Sequence, residues 1–265
     1  MTQYKQISGQ YGILDQLPYR EMEVANVLSA LKLVSLQDKN VIDFACGTGF
    51  YSEKLLEWGA GSVTGVDISP EMLSLAESRL EKTKFASSVR FIAGDGAFPQ
   101  SYAPNNSPEY YDLAFAGWFL NYSGTQESLT AMFRTVALNL KPGGLFMAIV
   151  PHPTEDLHAR AAASAKAPFT RMHPRNDYTP GQLPSGDGWG LRVNLDDDGT
   201  NFMTYHLLPR VYEQAARSAG FDGRLEWRRE VLLEGDWKAK QGLTSEEWQL
   251  REENPHLGIL MIWKN

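Results

Sequence analysis

The chain has one cysteine, Cys46, in 265 residues. That rules out an internal disulfide framework and makes a cytoplasmic protein the simplest expectation. It has no excess of base: 25 Lys and Arg against 32 Asp and Glu give a formal charge of −7, the wrong sign for a chain whose default partner is nucleic acid. Long apolar runs are also missing. Leu145–Val150 and Gly258–Trp263 are the longest strongly apolar stretches, far short of the roughly 20 residues a helix needs to span a bilayer, so no membrane partner is expected. Met1–Gln10 lacks the basic-then-apolar order of a secretory signal. Internal repeats and low-complexity tracts are lacking too. Asp196-Asp197-Asp198-Gly199 lacks the ligand spacing of a calcium loop and reads as a solvated turn, so no metal is expected.

What is present is a 43% hydrophobic composition, enough to bury a full core, and a regular alternation of elements. Pro18 can open a helix in which Val24, Val27, Leu28, Leu31 and Val34 recur at helical spacing. Val41–Phe44 reads as a strand, Tyr51–Trp58 as a helix, and Ser62–Asp67 as a second strand. Ser69 is a natural N-cap and Pro70 a first-turn proline for a helix whose Met72, Leu75, Ala76 and Leu80 share a face. Val89–Ala93, Tyr111–Ala116 and Leu145–Val150 are further strands, the last entered through a tight turn at Lys141-Pro142-Gly143-Gly144. Strands alternating with helices predict parallel βαβ units in a doubly wound α/β sheet. From Pro151 to Tyr205 the periodicity fades and prolines gather, which predicts an irregular insertion or lid. Helical spacing returns over Leu207–Ala219, and two late strands near Arg224–Leu232 and Gly258–Trp263 flank a helical piece at Thr244–Glu253.

The first three strands each end at an acid, Asp43, Asp67 and Asp95, and the first is followed by Gly47 and Gly49. Parallel strands present their carboxyl ends along one edge, so the three acids are expected in one cleft. Asp67 stands at the end of the strand after the glycines, where a carboxylate can accept hydrogen bonds from both ribose hydroxyls of a nucleoside. A dinucleotide fold would place a third glycine where this chain has Ser52, and a pyrophosphate wants that close approach. Asp95 between Gly94 and Gly96 suits an adenine amino group, which is a donor.

Asp-Phe-Ala-Cys-Gly-Thr-Gly (43–49), Gly-Val-Asp-Ile-Ser (65–69), Gly-Asp-Gly-Ala (94–97), Tyr-Asp-Leu-Ala-Phe (111–115) and Leu-Lys-Pro-Gly-Gly (140–144) together resemble the ordered motifs of class I S-adenosylmethionine-dependent methyltransferases. The resemblance covers about residues 4 to 150, and more weakly Leu208–Phe221. It implies a Rossmann-like, seven-stranded, mostly parallel sheet with an antiparallel last strand, helices on both faces and an insertion after the fifth strand. It further implies one methyltransferase domain over residues 1–265, with N-terminal helices at 1–35 covering the cofactor and a substrate-covering insertion at 151–205. The implied cofactor is S-adenosylmethionine, leaving as S-adenosylhomocysteine. Implied cofactor contacts are Tyr11, Asp43, Ala45, Gly47, Thr48, Gly49, Asp67, Ile68, Met72, Gly94, Asp95, Gly96, Ala116 and Gly117. Ala45 stands where many members have glycine, and Tyr4 and Tyr11 resemble paired tyrosines that close over the cofactor in small-molecule members.

Methyl transfer needs alignment and exclusion of water, and a base only if the acceptor arrives protonated. His152, just after the fifth strand, is the candidate base and, with Trp118 and Tyr11, a candidate substrate contact. His173, inside the insertion, is a weaker candidate. Nucleic-acid amino methyltransferases of this class carry an Asn/Asp-Pro-Pro-aromatic motif where this chain has Gly117-Trp118-Phe119-Leu120-Asn121-Tyr122. With the acidic charge, this favours a small-molecule acceptor of the kind found in secondary metabolism, in a closed pocket. Two other functions fit the sequence less well: a nicotinamide-dependent oxidoreductase, disfavoured by Ser52, and a catalytically silent fold member that binds a partner.

Overall fold

The computed structural model describes residues 12–166, 172–195 and 199–265. A short 3-10 turn at Gly12–Gln16 leads into α1 (Tyr19–Leu31), β1 (Asn40–Phe44), α2 (Phe50–Glu57), β2 (Ser62–Asp67), α3 (Pro70–Leu80), β3 (Val89–Ala93), β4 (Tyr111–Gly117), α4 (Gln126–Asn139) and β5 (Leu140–Pro151). Then come α5 (Leu157–Lys166), β6 (Arg175–Tyr178), β7 (Gly188–Asn194), β8 (Asn201–Leu207), α6 (Pro209–Ser218), β9 (Leu225–Arg229), α7 (Asp236–Lys240), α8 (Ser245–Glu253) and β10 (Leu257–Trp263).

Seven strands form one sheet in the order β3-β2-β1-β4-β5-β10-β9. β1 pairs in parallel with β2 and β4, and β10 runs antiparallel to both neighbours, β5 and β9. Successive side chains of a strand point to opposite faces, and the core divides accordingly. Ile42, Phe44, Ala114, Ala116, Phe146 and Ala148 pack under α4 and α6. Val41, Leu113, Phe115, Leu145 and Met147 pack under α1 and α2. Caps act where the sequence places them: the Ser69 hydroxyl accepts the Met72 N–H at the start of α3, and Thr244 and Glu247 form a capping box on α8.

Two local expectations change. Lys141 to Gly144 is not a turn before the strand: β5 begins at Leu140, opposite Tyr111, and its register resumes with Leu145 opposite Leu113. The intervening residues bulge, with Gly143 at φ +75°. The segment after Pro151 is not irregular. It forms α5 and a second, antiparallel sheet, β6-β7-β8. Its strands are short and alternate with polar residues, so no strong apolar periodicity marks them. No helix among the described residues is long and apolar enough to cross a membrane.

Candidate active site

The turn after β1 places its backbone in the left-handed region three times, at Ala45 (φ +53°), Gly47 (φ +54°) and Gly49 (φ +76°). Gly49 is fixed by space as well, since a Cβ there would lie 3.0 Å from Ala76 Cβ of α3. At Gly47 no atom lies within 4 Å of where a Cβ would sit, so its bare backbone faces a cleft. Ala45 adopts a conformation that costs an L-residue about 1–2 kcal/mol, which explains a glycine preference at that position.

The cleft encloses about 400 Å³, within the usual range for small-ligand sites. Of the expected residues, Ala45, Gly47, Asp67, Ile68, Met72, Gly94, Asp95, Gly96, Gly117 and Trp118 line it. Phe44, Phe119, Tyr122, Met203 and Tyr205 join them. Asp67 Oδ2 accepts the Gly47 N–H at 2.8 Å and Oδ1 accepts the Ser69 N–H at 2.9 Å. Burial raises the Asp67 pKa, opposed by backbone donors that hold its ionised form. Each carboxylate oxygen keeps a further lone pair for a ligand hydroxyl. Asp95 Oδ1 accepts the Ala97 N–H at 2.9 Å, which fixes its side chain at the cleft rim.

Four expected residues do not reach the cleft. Asp43 points to the α2 face of the sheet, where the Ser52 hydroxyl donates to its Oδ2 at 2.7 Å. Burial pushes the Asp43 pKa up to about 7, against the Ser52 hydrogen bond and with the Asp67 charge adding to it. Only two of the three strand-end acids therefore share the cleft, and Ser52 answers Asp43 rather than a ligand. Thr48 is buried within reach of Arg79, Gly49 packs on α3, and Ala116 is buried in the core under α4. Tyr4 and Tyr11 lie outside the described residues, as do Asp196, Asp197 and Asp198.

Trp118 and Tyr122 also line a second, smaller chamber of about 80 Å³ beside the cleft. Its walls come from Leu14, Tyr19 and Arg20 near the N-terminus, from α5, and from one face of the second sheet. On β8 the split is residue by residue: Phe202, Thr204 and His206 line the chamber, whereas Met203 and Tyr205 line the cleft. Among the described residues the N-terminal segment lines the chamber and not the cleft; residues 1–11 of the expected cover lie outside the described residues.

A buried carboxylate holds the wall between the two spaces. Glu23 of α1 is fully buried. It accepts from Trp118 Nε1 at 2.6 Å and from the Tyr51 hydroxyl at 2.7 Å, and it pairs with Arg20. Arg20 also meets Asp15 at 3.3 Å. Trp118 sits at φ +61°, a strained position for a large side chain that persists only when its surroundings over-determine it. The Glu23 contact supplies part of that constraint.

His152 does not line either cavity. Its Nδ1 lies 3.2 Å from the Leu257 carbonyl, and burial pulls its pKa down to about 4. Three other histidines, His173, His206 and His256, line the chamber instead. His173 and His256 stack at 4.1 Å, and the His256 ring lies 5.3 Å from Trp118. Burial pulls His173 and His206 down to about 3 and lowers His256 as well, so all three are neutral near pH 7. His206 Nε2–H donates to the His152 carbonyl at 2.8 Å, which leaves Nδ1 to accept the Tyr178 hydroxyl at 2.7 Å.

Sequence reasoning missed Glu23, Tyr19, Arg20, Arg160, Tyr178, His206 and His256. For the residues on β6 to β8 a weak signal exists in the period-two placement of Phe202, Thr204 and His206; for Glu23, inside an ordinary helical pattern, there is none.

The family described as "Methyltransferase domain" matches residues 41–144, the segment from β1 to the β5 bulge. A ribosomal protein L11 methyltransferase of Colwellia psychrerythraea is 32% identical over 83 residues, 31% of this chain and 25% of the relative. The chain thus spans only a quarter of that relative's length. A ubiquinone biosynthesis O-methyltransferase of Stutzerimonas stutzeri is 31% identical over 186 residues, 69% of this chain and 75% of the relative. In fold, an S-adenosylmethionine-dependent methyltransferase of Mesorhizobium loti superposes with a TM-score of 0.58 at 21% identity, covering 92% of this chain and 100% of that one. A glycine turn opening onto a nucleoside-sized cleft, the strand order around it, and a relative matched over three quarters of its length agree, and the chain belongs to the S-adenosylmethionine-dependent methyltransferases.

Proposed function

We propose that the protein methylates a small-molecule acceptor held in the chamber while S-adenosylmethionine lies in the cleft. The observation that carries this reading is the shared boundary: Trp118 and Tyr122 line both spaces, so the two adjoin at these side chains. Asp67 holds the ribose through the lone pairs its backbone donors leave free, and Asp95 with Gly96 meets the adenine edge. Ile68, apolar yet 44% exposed, packs on the adenine face. The backbone of Ala45, Gly47 and Gly117 lies along the methionine moiety. Bound S-adenosylmethionine supplies an activated methyl group, so the protein's task is alignment and water exclusion without a covalent intermediate.

Residues 151–205 form the acceptor cover within a single methyltransferase domain. The chamber's small volume, about 80 Å³, supports a small molecule over a nucleic acid, and the single cysteine supports a cytoplasmic setting. No acceptor proton need pass to His152, whose ring is turned to Leu257. The test is calorimetry with S-adenosylhomocysteine. Asp67→Ala removes the acceptor for buried hydroxyls and should weaken binding by about 1–3 kcal/mol, roughly five- to 150-fold. Unchanged affinity would refute the ribose assignment, and no binding by the wild type would refute the cleft as the cofactor site.

A further inference from the structure

The chamber carries an unbalanced positive charge. Two arginines line it, Arg20 and Arg160, and no aspartate or glutamate does among the described residues. Arg20 is neutralised from behind by Glu23 and Asp15. Arg160, on α5, pairs with no carboxylate among the described residues, and its Nε is buried without a hydrogen-bond partner. Arg251, whose charge also bears on the chamber histidines, is cancelled by Glu230 at 2.7 Å. The histidines are neutral and cannot add or remove charge at pH 7.

Arg160 is half-buried and meets the Tyr178 hydroxyl, a neutral group that leaves its charge uncompensated, and a cation withdrawn from water without a counter-charge is costly. Guanidinium is the side chain best matched to planar, two-oxygen anions. Around it the chamber presents the aromatic faces of Tyr19, Trp118 and Tyr122, suited to a flat ring. At the same wall Asn121 Oδ1 is buried with no donor facing it, so the site also has an acceptor for a ligand hydroxyl or N–H.

We propose that the acceptor is an aromatic acid bound as its carboxylate, with Arg160 pairing the carboxylate and the ring lying between the aromatic walls that end at Trp118. This rests on the reading of the chamber as the acceptor site. It assigns Arg160 as the residue that selects anionic over neutral acceptors.

The test uses the full chain with S-adenosylhomocysteine present and titrates three matched acid and amide pairs: benzoate and benzamide, phenylacetate and phenylacetamide, and indole-3-acetate and indole-3-acetamide. The wild type should bind the acid of at least one pair about tenfold more tightly than its amide, as expected for one charge-assisted contact. Arg160→Gln should abolish that preference by weakening the acid and leaving the amide unchanged, while Arg160→Lys should keep part of it. Affinity for S-adenosylhomocysteine, read in the same titrations, should be equal in all three proteins and reports that the variants are folded. Equal binding of acid and amide in every pair, or a preference that survives in Arg160→Gln, overturns the proposal. Failure of the wild type to bind S-adenosylhomocysteine would instead count against the cofactor cleft.

Discussion

Replacing Glu23 with glutamine changes almost no volume but removes the charge that three groups share. Glutamine offers one carbonyl oxygen where the carboxylate offered two, so Trp118 Nε1 and the Tyr51 hydroxyl, 2.6 and 2.7 Å from separate oxygens, cannot both be satisfied. Arg20 keeps only Asp15, at 3.3 Å. Breaking a buried ion pair costs about 3–5 kcal/mol when the remaining charge has no other partner. The Arg20 side chain is 11% exposed and retains Asp15, which trims the expected loss to about 2–4 kcal/mol. That is a large part of the total for a typical domain. At an m-value near the top of the usual range for urea, the unfolding midpoint should fall by about 1 M. Equilibrium unfolding followed by circular dichroism measures it, and pairing Glu23→Gln with Trp118→Phe in a double-mutant cycle isolates the Trp118 share. A midpoint within about 0.2 M of the wild type would show that Glu23 does not carry the wall between cleft and chamber.

His152→Ala should leave methyl transfer within about twofold of the wild type, because the ring faces Leu257 and neither cavity; a loss of about a hundredfold or more in kcat, with unchanged S-adenosylhomocysteine affinity, would restore it as the base. Stability should fall as the solution is acidified from about pH 6.5 toward 4.5. His152, His173 and His206 are held at about 4, 3 and 3, below the ordinary value of about 6.5, so over this window the unfolded chain binds the extra protons. Asp43, held up at about 7, opposes them with one proton bound in the fold, and His256 and Asp67 shift in opposite directions. The balance leaves the unfolded state with more protons, at about 1.4 kcal/mol per pH unit for each. His152 is partly exposed and contributes less than the other two. A urea midpoint that stays flat or rises on acidification would contradict this.

The strand order and the cleft were legible because they rest on local chemistry. Left-handed backbone calls for glycine, strand ends carry acids toward a common edge, and Ser69-Pro70 opens a helix. How far along its strand an acid sits is less local. Asp43 lies opposite Gly65, one residue before the end of β1, and Asp67 closes β2 two residues further along; α2 brings Ser52 to Asp43 while Asp67 meets the backbone of Gly47. The second sheet left only a weak trace because its chamber-facing residues mix apolar Leu191, Val193 and Phe202 with polar Asn176, Thr204 and His206, which breaks the hydrophobic period. The Glu23 hub joins α1 to Tyr51 of α2 and to Trp118 after β4, and the uncompensated charge of Arg160 depends on where α5 packs; no spacing along the sequence encodes either meeting.

β8 turns its even-numbered side chains, Phe202, Thr204 and His206, to one space and its odd-numbered Met203 and Tyr205 to the other. Parity along seven residues thus separates two selection problems. On the proposed assignment, point substitutions at the even positions retune what is methylated while the odd positions keep the methyl donor's pocket intact. A single-residue insertion or deletion in β8 has no such freedom, because it exchanges the two sets at once. The strand is therefore tolerant of changes in identity and intolerant of changes in length, and acceptor preference should diversify among close relatives by replacement at positions 202, 204 and 206 rather than by indels.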